Sequence, residues 1–181
     1  GDHRDLHSFP TRRSSDLESA FQWLIDNKSP GYSGACWGNH FNYQSRGGFM
    51  PKGTPTVVWT SLIGHAFLDA YEHLGTDTYL AIADSACQHI TRDLNKIAED
   101  DVFCISYTPR EHLAVHNSNT LGASLLARTS SLTGNQLYRD FAETAIRYAV
   151  RHQRPNASWY YAEASKYHWV DNFHKIGRAH V

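Results

Sequence analysis

Apolar side chains along this chain recur at three and four residues, in blocks separated by segments rich in Gly, Pro, Ser and aromatics. That is the pattern of amphipathic helices joined by loops. Trp59, Leu62, Ile63, Ala66, Phe67, Ala70 and Tyr71 mark a helix from about Thr56 to Leu74, closed by Gly75 in the manner of a glycine cap. Leu80, Ala83, Ala86, Ile90 and Leu94 form one stripe of a helix from Asp77 to about Leu94. The same patterning predicts helices over about 118–132 and 136–152, the end of a helix over 18–28, and the start of another near Trp169. Residues 1–17 offer only Leu6, Phe9 and Leu17 as large apolar side chains, and no core face can be drawn through them. They are expected to lack regular structure.

Shifting the chain by 59 residues exposes an internal repeat: Leu62 falls on Leu121, Phe67 on Leu126, Gly75 on Gly134, Tyr79 on Tyr138, Ala83 on Ala142 and Ala86 on Ala145. Each unit reads as a helical hairpin with its turn at the Gly. The period is too long for tetratricopeptide or HEAT units. It suits a ring of hairpins whose inner helices line an axis and whose outer helices wrap them, so the expected fold is all-α, an incomplete (α/α) toroid.

The segment YAVRHQRPNASW (Tyr148 to Trp159) resembles the QW motif of terpenoid cyclases, with Gln153 and Trp159 in place and Ala157 where that family prefers Gly. WLIDNKSPGYSGACW (Trp23 to Trp37) is a looser copy with Lys28 in place of the Gln. The motif joins an outer helix to the next inner one, so it implies a toroid and not cyclase chemistry; the cyclases' acidic DxDD motif is absent. NSNTLGASLLARTSSLTGNQLYRDFA is similar to the hairpin unit of six-hairpin glycosidases and N-acylglucosamine 2-epimerases. SWYYAEASKYHWVDNFH resembles a segment of bacterial six-hairpin-like proteins associated with polysaccharide metabolism. These resemblances imply a carbohydrate ligand.

Both ends change the accounting. Back-translated, Gly1–Leu17 spells a sequencing adapter, and 175–181 its partner, so 18–174 is read as a partial toroid domain between two adapter-derived scars, an internal piece of a longer protein. The full chain has a formal net charge of −1, and removing the flanks makes the balance mildly acidic. No basic patch for nucleic acid results, and no apolar run approaches the roughly 20 residues that span a bilayer. A cytoplasmic location is slightly favoured, with the native N-terminus taken as missing and the oligomeric state open. Cys36, Cys87 and Cys104 lack a CxxC pairing and read as buried free thiols. Cys36 with His40, and His112 with His116, find no third ligand, so neither a metal nor a cofactor is expected.

In a ring of hairpins the loops before the inner helices crowd one rim, which places 55–61, 114–120 and 167–174 together. The last is richest in chemistry. On a helix from 169, Asp171 and His174 share a face and could exchange a proton or hold a tautomer; equally, Asp171 could cap that helix. Glu163 would supply a second carboxylate to Asp171, as glycoside hydrolysis requires. His116 precedes an inner helix, with Asn119 the candidate N-cap. The catalytic candidates are therefore Asp171, His174, Glu163 and His116. Loop aromatics and polar neighbours make the binding set: Trp37, His40, Tyr43, Arg46, Trp59, Tyr107, Asn117, Tyr160, His168, Trp169 and Asn172. Three readings follow. The leading one is a carbohydrate-active enzyme, hydrolase- or lyase-like, with Asp171 and His174 as acid and base. The others are a sugar epimerase or isomerase using His116 and His174, and a non-catalytic glycan-binding or scaffold protein.

Overall fold

The computed structural model describes residues 10–45 and 48–175. Residues 1–9 and 176–181, most of the two flanking stretches, lie outside the described residues, as does Arg46. The chain is 54% helical with few short strands. In order come α1 (Pro10–Asp26), the strands β1 (Tyr43–Ser45) and β2 (Gly48–Met50), α2 (Val57–Leu74) and α3 (Asp77–Arg92). The strands β3 (Lys96–Glu99) and β4 (Val102–Ile105), then α4 (His116–Thr133) and α5 (Gln136–Arg151), follow, and two 3-10 turns close the series at Ser165–Tyr167 and Asn172–His174.

The 59-residue repeat holds to the residue: α4 and α5 begin and end 59 positions after α2 and α3. Gly75 and Gly134 sit at φ 68° and 72°, and their N–H groups close the last turns on the Tyr71 and Ser130 carbonyls. α2 packs on α3 and α4 on α5, and the hairpins join along α2 and α4. Those two run parallel. His65 bonds Ser124 at 2.9 Å and Arg128 reaches Asp69 and Glu72. Gly64 lets Leu125 approach so closely that an added Cβ would lie 2.5 Å from its Cδ2. Phe67, Leu68, Ile90, Leu125 and Leu126 are fully enclosed in the core between the four helices.

The two QW-like segments do the same work by their tryptophans. Trp37 Nε1 donates to the Leu24 carbonyl at 2.8 Å, and Trp159 Nε1 to the Ala149 carbonyl at 2.6 Å. Each indole takes a carbonyl near the C-terminus of a helix, where intrahelical partners run out. Ala157 has φ 58°, the left-handed conformation that explains why a Gly is preferred there.

Three expectations are corrected. α1 begins at Pro10, so residues 10–17 are helical; once 18–26 supply the nucleus, extension adds one bond per residue without needing an apolar face, and proline suits a first helical position. Asn119 lies inside α4 rather than at its N-cap, which is Val115. Its amide accepts from Ile105 N–H at 2.9 Å and donates to the Ala145 carbonyl at 2.7 Å, tying β4 to α5. No helix runs on from Trp169 among the described residues: a 3-10 turn occupies Asn172–His174. The stretch before α4, for which no element was predicted, holds an antiparallel hairpin, β3 with β4, turning at Asp100 with φ 52°.

Candidate functional site

His116 is the first residue of α4, and the hairpin β3–β4, the end of α5 and the loop after it all converge on it. The ring is 2% exposed and stacks on Tyr148 at 5.8 Å. Its Nε2 lies 2.5 Å from Glu163 Oε1. The other carboxylate oxygen of Glu163 lies 3.1 Å from His152 Nδ1, and His152 Nε2 meets Glu99 Oε2 at 2.9 Å. Glu99, His152, Glu163 and His116 therefore form an unbroken chain from the end of β3 into the protein. Burial pushes the His116 imidazole below the ordinary histidine value, with Glu163 opposing that shift. The ring is thus neutral near pH 7. A neutral imidazole that donates Nε2–H to a carboxylate leaves Nδ1 as a bare lone pair, and His116 Nδ1 is buried without a protein partner.

A second dyad repeats the arrangement. His174, 1% exposed, has Nδ1 2.7 Å from Asp171 Oδ1, while its Nε2 is also buried and unpartnered. Asp171 is the N-cap of the 3-10 turn and accepts from Phe173 N–H at 2.9 Å, so capping and histidine orientation are one function. The two histidines line one cavity of about 120 Å³, together with Asn117, Thr120, Ala149, Trp159 and Phe173. Asn117 Oδ1 is the third unpartnered buried polar atom of that lining. Three residues around one space thus each carry a buried polar atom without a partner, and such an atom costs about 1–3 kcal/mol until it is hydrogen-bonded. His89 pairs with Asp93 at 2.8 Å and likewise leaves Nε2 unpartnered, but it lines none of the cavities described and belongs to the packing of α3.

Glu163 therefore partners His116 and His152. His168 donates Nε2–H to the Glu163 carbonyl at 2.9 Å and stacks on Tyr160 at 4.1 Å. Trp169 stacks on Tyr161 at 4.9 Å. Tyr160 also lies beneath the Arg154 guanidinium, and Asn172 is exposed on the 3-10 turn. The remaining candidates lie elsewhere. Tyr43 and Tyr107 face a neighbouring cavity. Trp37, His40 and Trp59 border an apolar groove with exposed Trp23 and Phe41, although Trp37 itself is buried in the core. His152 and Glu99 escaped sequence reasoning. His152 read as the last residue of an amphipathic helix, and Glu99 lay in a stretch with no predicted element.

His116, His152 and Glu163 can also bring one ligand atom each within 4.8 Å of one another, a spacing that could hold a metal ion. The donor set suits zinc or a similar divalent ion, and the Glu99 carboxylate behind His152 is the kind of outer partner such ligands have. All three cysteines are free and buried, as their spacing implied; burial pushes the Cys36 thiol up to about 12. No helix of the described residues is long and apolar enough to cross a membrane.

The arrangement of parallel inner helices wrapped by outer ones is that of an (α/α) toroid. Among solved structures, the chain is similar to cellobiose 2-epimerase from Spirochaeta thermophila DSM 6192, with a TM-score of 0.61 and 16% identity. The match covers 90% of this chain and 42% of that one, so the chain spans less than half the length of this neighbour. No family profile matches the sequence, and no curated protein is similar to it by sequence.

Proposed function

We propose that this chain carries an acid/base site for carbohydrate, acting by two-base proton transfer of the epimerase or isomerase kind. The observation that supports it is the pair of histidine–carboxylate dyads whose histidines, His116 and His174, line one small cavity, each with its second ring nitrogen buried and unpartnered. The fold likeness to cellobiose 2-epimerase agrees with a sugar substrate.

In this reading an open-chain reducing sugar binds with its carbonyl end in the cavity. One imidazole takes the proton from the carbon beside the carbonyl, and the C–H electron pair becomes the C=C of an enediolate. The other, in its cationic form, returns a proton to the opposite face, so one proton leaves and one arrives. His116, held neutral by burial, is the base, and Glu163 fixes its tautomer. Asp171 holds His174 by Nδ1 and leaves Nε2 for the substrate. The Asn117 carboxamide, with its oxygen unpartnered, bonds substrate hydroxyls. Hydrolysis by paired carboxylates fits less well, because Glu163 and Asp171 are each committed to a histidine.

Interconversion of C2 epimers of glucose, cellobiose and N-acetylglucosamine, followed by chromatography for the parent chain and for His116→Asn and His174→Asn, tests the reading. Conversion of at least one sugar, reduced about 10²–10⁴-fold in each variant, is the expected result. Absence of conversion of all three sugars, or full activity in both variants, would sink it.

A further inference from the structure

Three separate pieces of backbone bring His116, His152 and Glu163 together. His116 opens α4, and His152 is the C-cap of α5. Glu163 is laid beside them by the bridge between Val115 and Ala162 and by its own N–H, which donates to the Ala114 carbonyl at 3.3 Å. Tyr148 stacks on both imidazoles, at 5.8 Å from His116 and 4.4 Å from His152, so neither ring turns away without losing that contact. Among the described residues this is the one place where three His, Cys, Asp or Glu side chains gather their ligand atoms, all within 4.8 Å of one another. The side chains of His116, His152 and Glu163 are 3%, 19% and 32% exposed, which leaves the cluster a way in from the Glu163 side.

We propose that His116 Nε2, His152 Nδ1 and a Glu163 carboxylate oxygen bind a divalent transition-metal ion such as Zn2+, and that this ion and proton transfer by His116 exclude one another. The site stands on the ligand geometry alone; the exclusion rests on the two-base reading. Two imidazole nitrogens and one carboxylate oxygen are a donor set that zinc accepts while keeping a further position open. His152 turns Nδ1 to Glu163 and holds Nε2 against Glu99 Oε2 at 2.9 Å, and a carboxylate behind a ligating imidazole fixes its tautomer and strengthens it as a ligand. His116 joins by changing tautomer. The lone pair of Nε2 goes to the ion in place of the N–H that Glu163 accepts, and the ring carries its one proton on Nδ1 instead, so the imidazole stays neutral. The nitrogen that would take the substrate proton is then an N–H donor and no longer a base.

Untagged chain stripped with EDTA, titrated with ZnCl2 by calorimetry and with CoCl2 by visible absorption, tests this alongside His152→Asn, Glu99→Gln and His73→Asn, the last an exposed histidine in the final turn of α2. The parent should bind one Zn2+ with a Kd of about 1 μM or tighter. His152→Asn should weaken binding about 100-fold or more, Glu99→Gln about 10–100-fold, and His73→Asn not at all. No Zn2+ binding by the parent, parent affinity in both His152→Asn and Glu99→Gln, or an equal loss in His73→Asn would overturn the site; Glu99 is half-exposed at the end of β3, so its variant decides the matter where His152→Asn does not fold. Epimer interconversion on the same preparations separates the two levels. Turnover should fall in proportion to the Zn2+ bound and return with EDTA. Turnover undiminished at saturating Zn2+ overturns the exclusion, whereas no turnover by the metal-free parent removes the two-base reading and leaves the site to the titrations.

Discussion

His116 Nε2 and Glu163 Oε1 meet at 2.5 Å although 47 residues separate them. The contact joins the first turn of α4 to the loop after α5, across the point where one hairpin hands the chain to the next. Glu163 Oε2 continues to His152, so the carboxylate is fixed from two sides and leaves His116 one donor direction.

Glu163 is a positioning residue, and its removal has a signature that a structural role lacks. Its hydrogen bond and charge raise the His116 pKa against burial. In Glu163→Gln that support is lost, the histidine becomes harder to protonate, and the acid limb of kcat/KM moves to lower pH. The plateau rate should fall about 10²–10⁴-fold as the tautomer is released. A pH–rate profile of the variant checks both effects, and a limb that stays in place would count against the dyad.

Stability should also depend on pH through two buried histidines. Burial foremost lowers both His89 and His116, against hydrogen bonds to Asp93 and Glu163. The unfolded chain titrates them near 6.5. Between that value and the lower folded values the unfolded state binds more protons, so stability falls as pH drops through this window. The loss is at most about 1.4 kcal/mol per pH unit for each histidine. Their contribution is whole above about 6.5 and gone below the folded values. Urea midpoints should hold steady from pH 8 to 7 and decline toward pH 5, with a shallower decline in His89→Gln; identical slopes would contradict the assignment.

Ala157 offers a stabilising substitution. Its φ of 58° costs an L-residue about 1–2 kcal/mol, partly offset on change to Gly by the greater freedom of the unfolded chain. Ala157→Gly should raise stability by about 0.5–1 kcal/mol in urea unfolding. A loss of stability would mean that the methyl group packs productively.

The paired tryptophans make a matched test. Trp37→Phe and Trp159→Phe each remove the indole N–H that satisfies a helix-end carbonyl, Leu24 or Ala149. Each should lower stability by about 1–3 kcal/mol, measured by urea unfolding. A neutral result for either would show that water replaces the indole there.

These pairs show what the sequence discloses and what it hides. The 59-residue shift, Gly75 with Gly134 and the two QW-like segments were legible because helical periodicity and glycine caps are local. The β3–β4 hairpin was not: Lys96–Glu99 and Val102–Ile105 are four residues each, too short to separate alternation from a loop. Asn119 was misplaced because a capping asparagine and a buried one that ties two elements look alike in sequence. His116, Glu163, Asp171 and His174 were each visible as candidates, and the Asp171–His174 pair was legible from its three-residue spacing. Only the fold decides that Glu163 turns to His116, 47 residues away, and to His152.

The most direct test of the two-base account is deuterium incorporation at C2 of cellobiose in D2O, read by NMR and mass spectrometry with the parent chain, His116→Asn and His174→Asn. The epimeric product of the parent chain should carry one solvent deuterium. In one of the two variants C2 exchange should continue with retention of configuration while epimerisation stops, because a single base can remove and return a proton on one face only. Epimerisation without deuterium incorporation, or both variants epimerising at the parent rate, would contradict it.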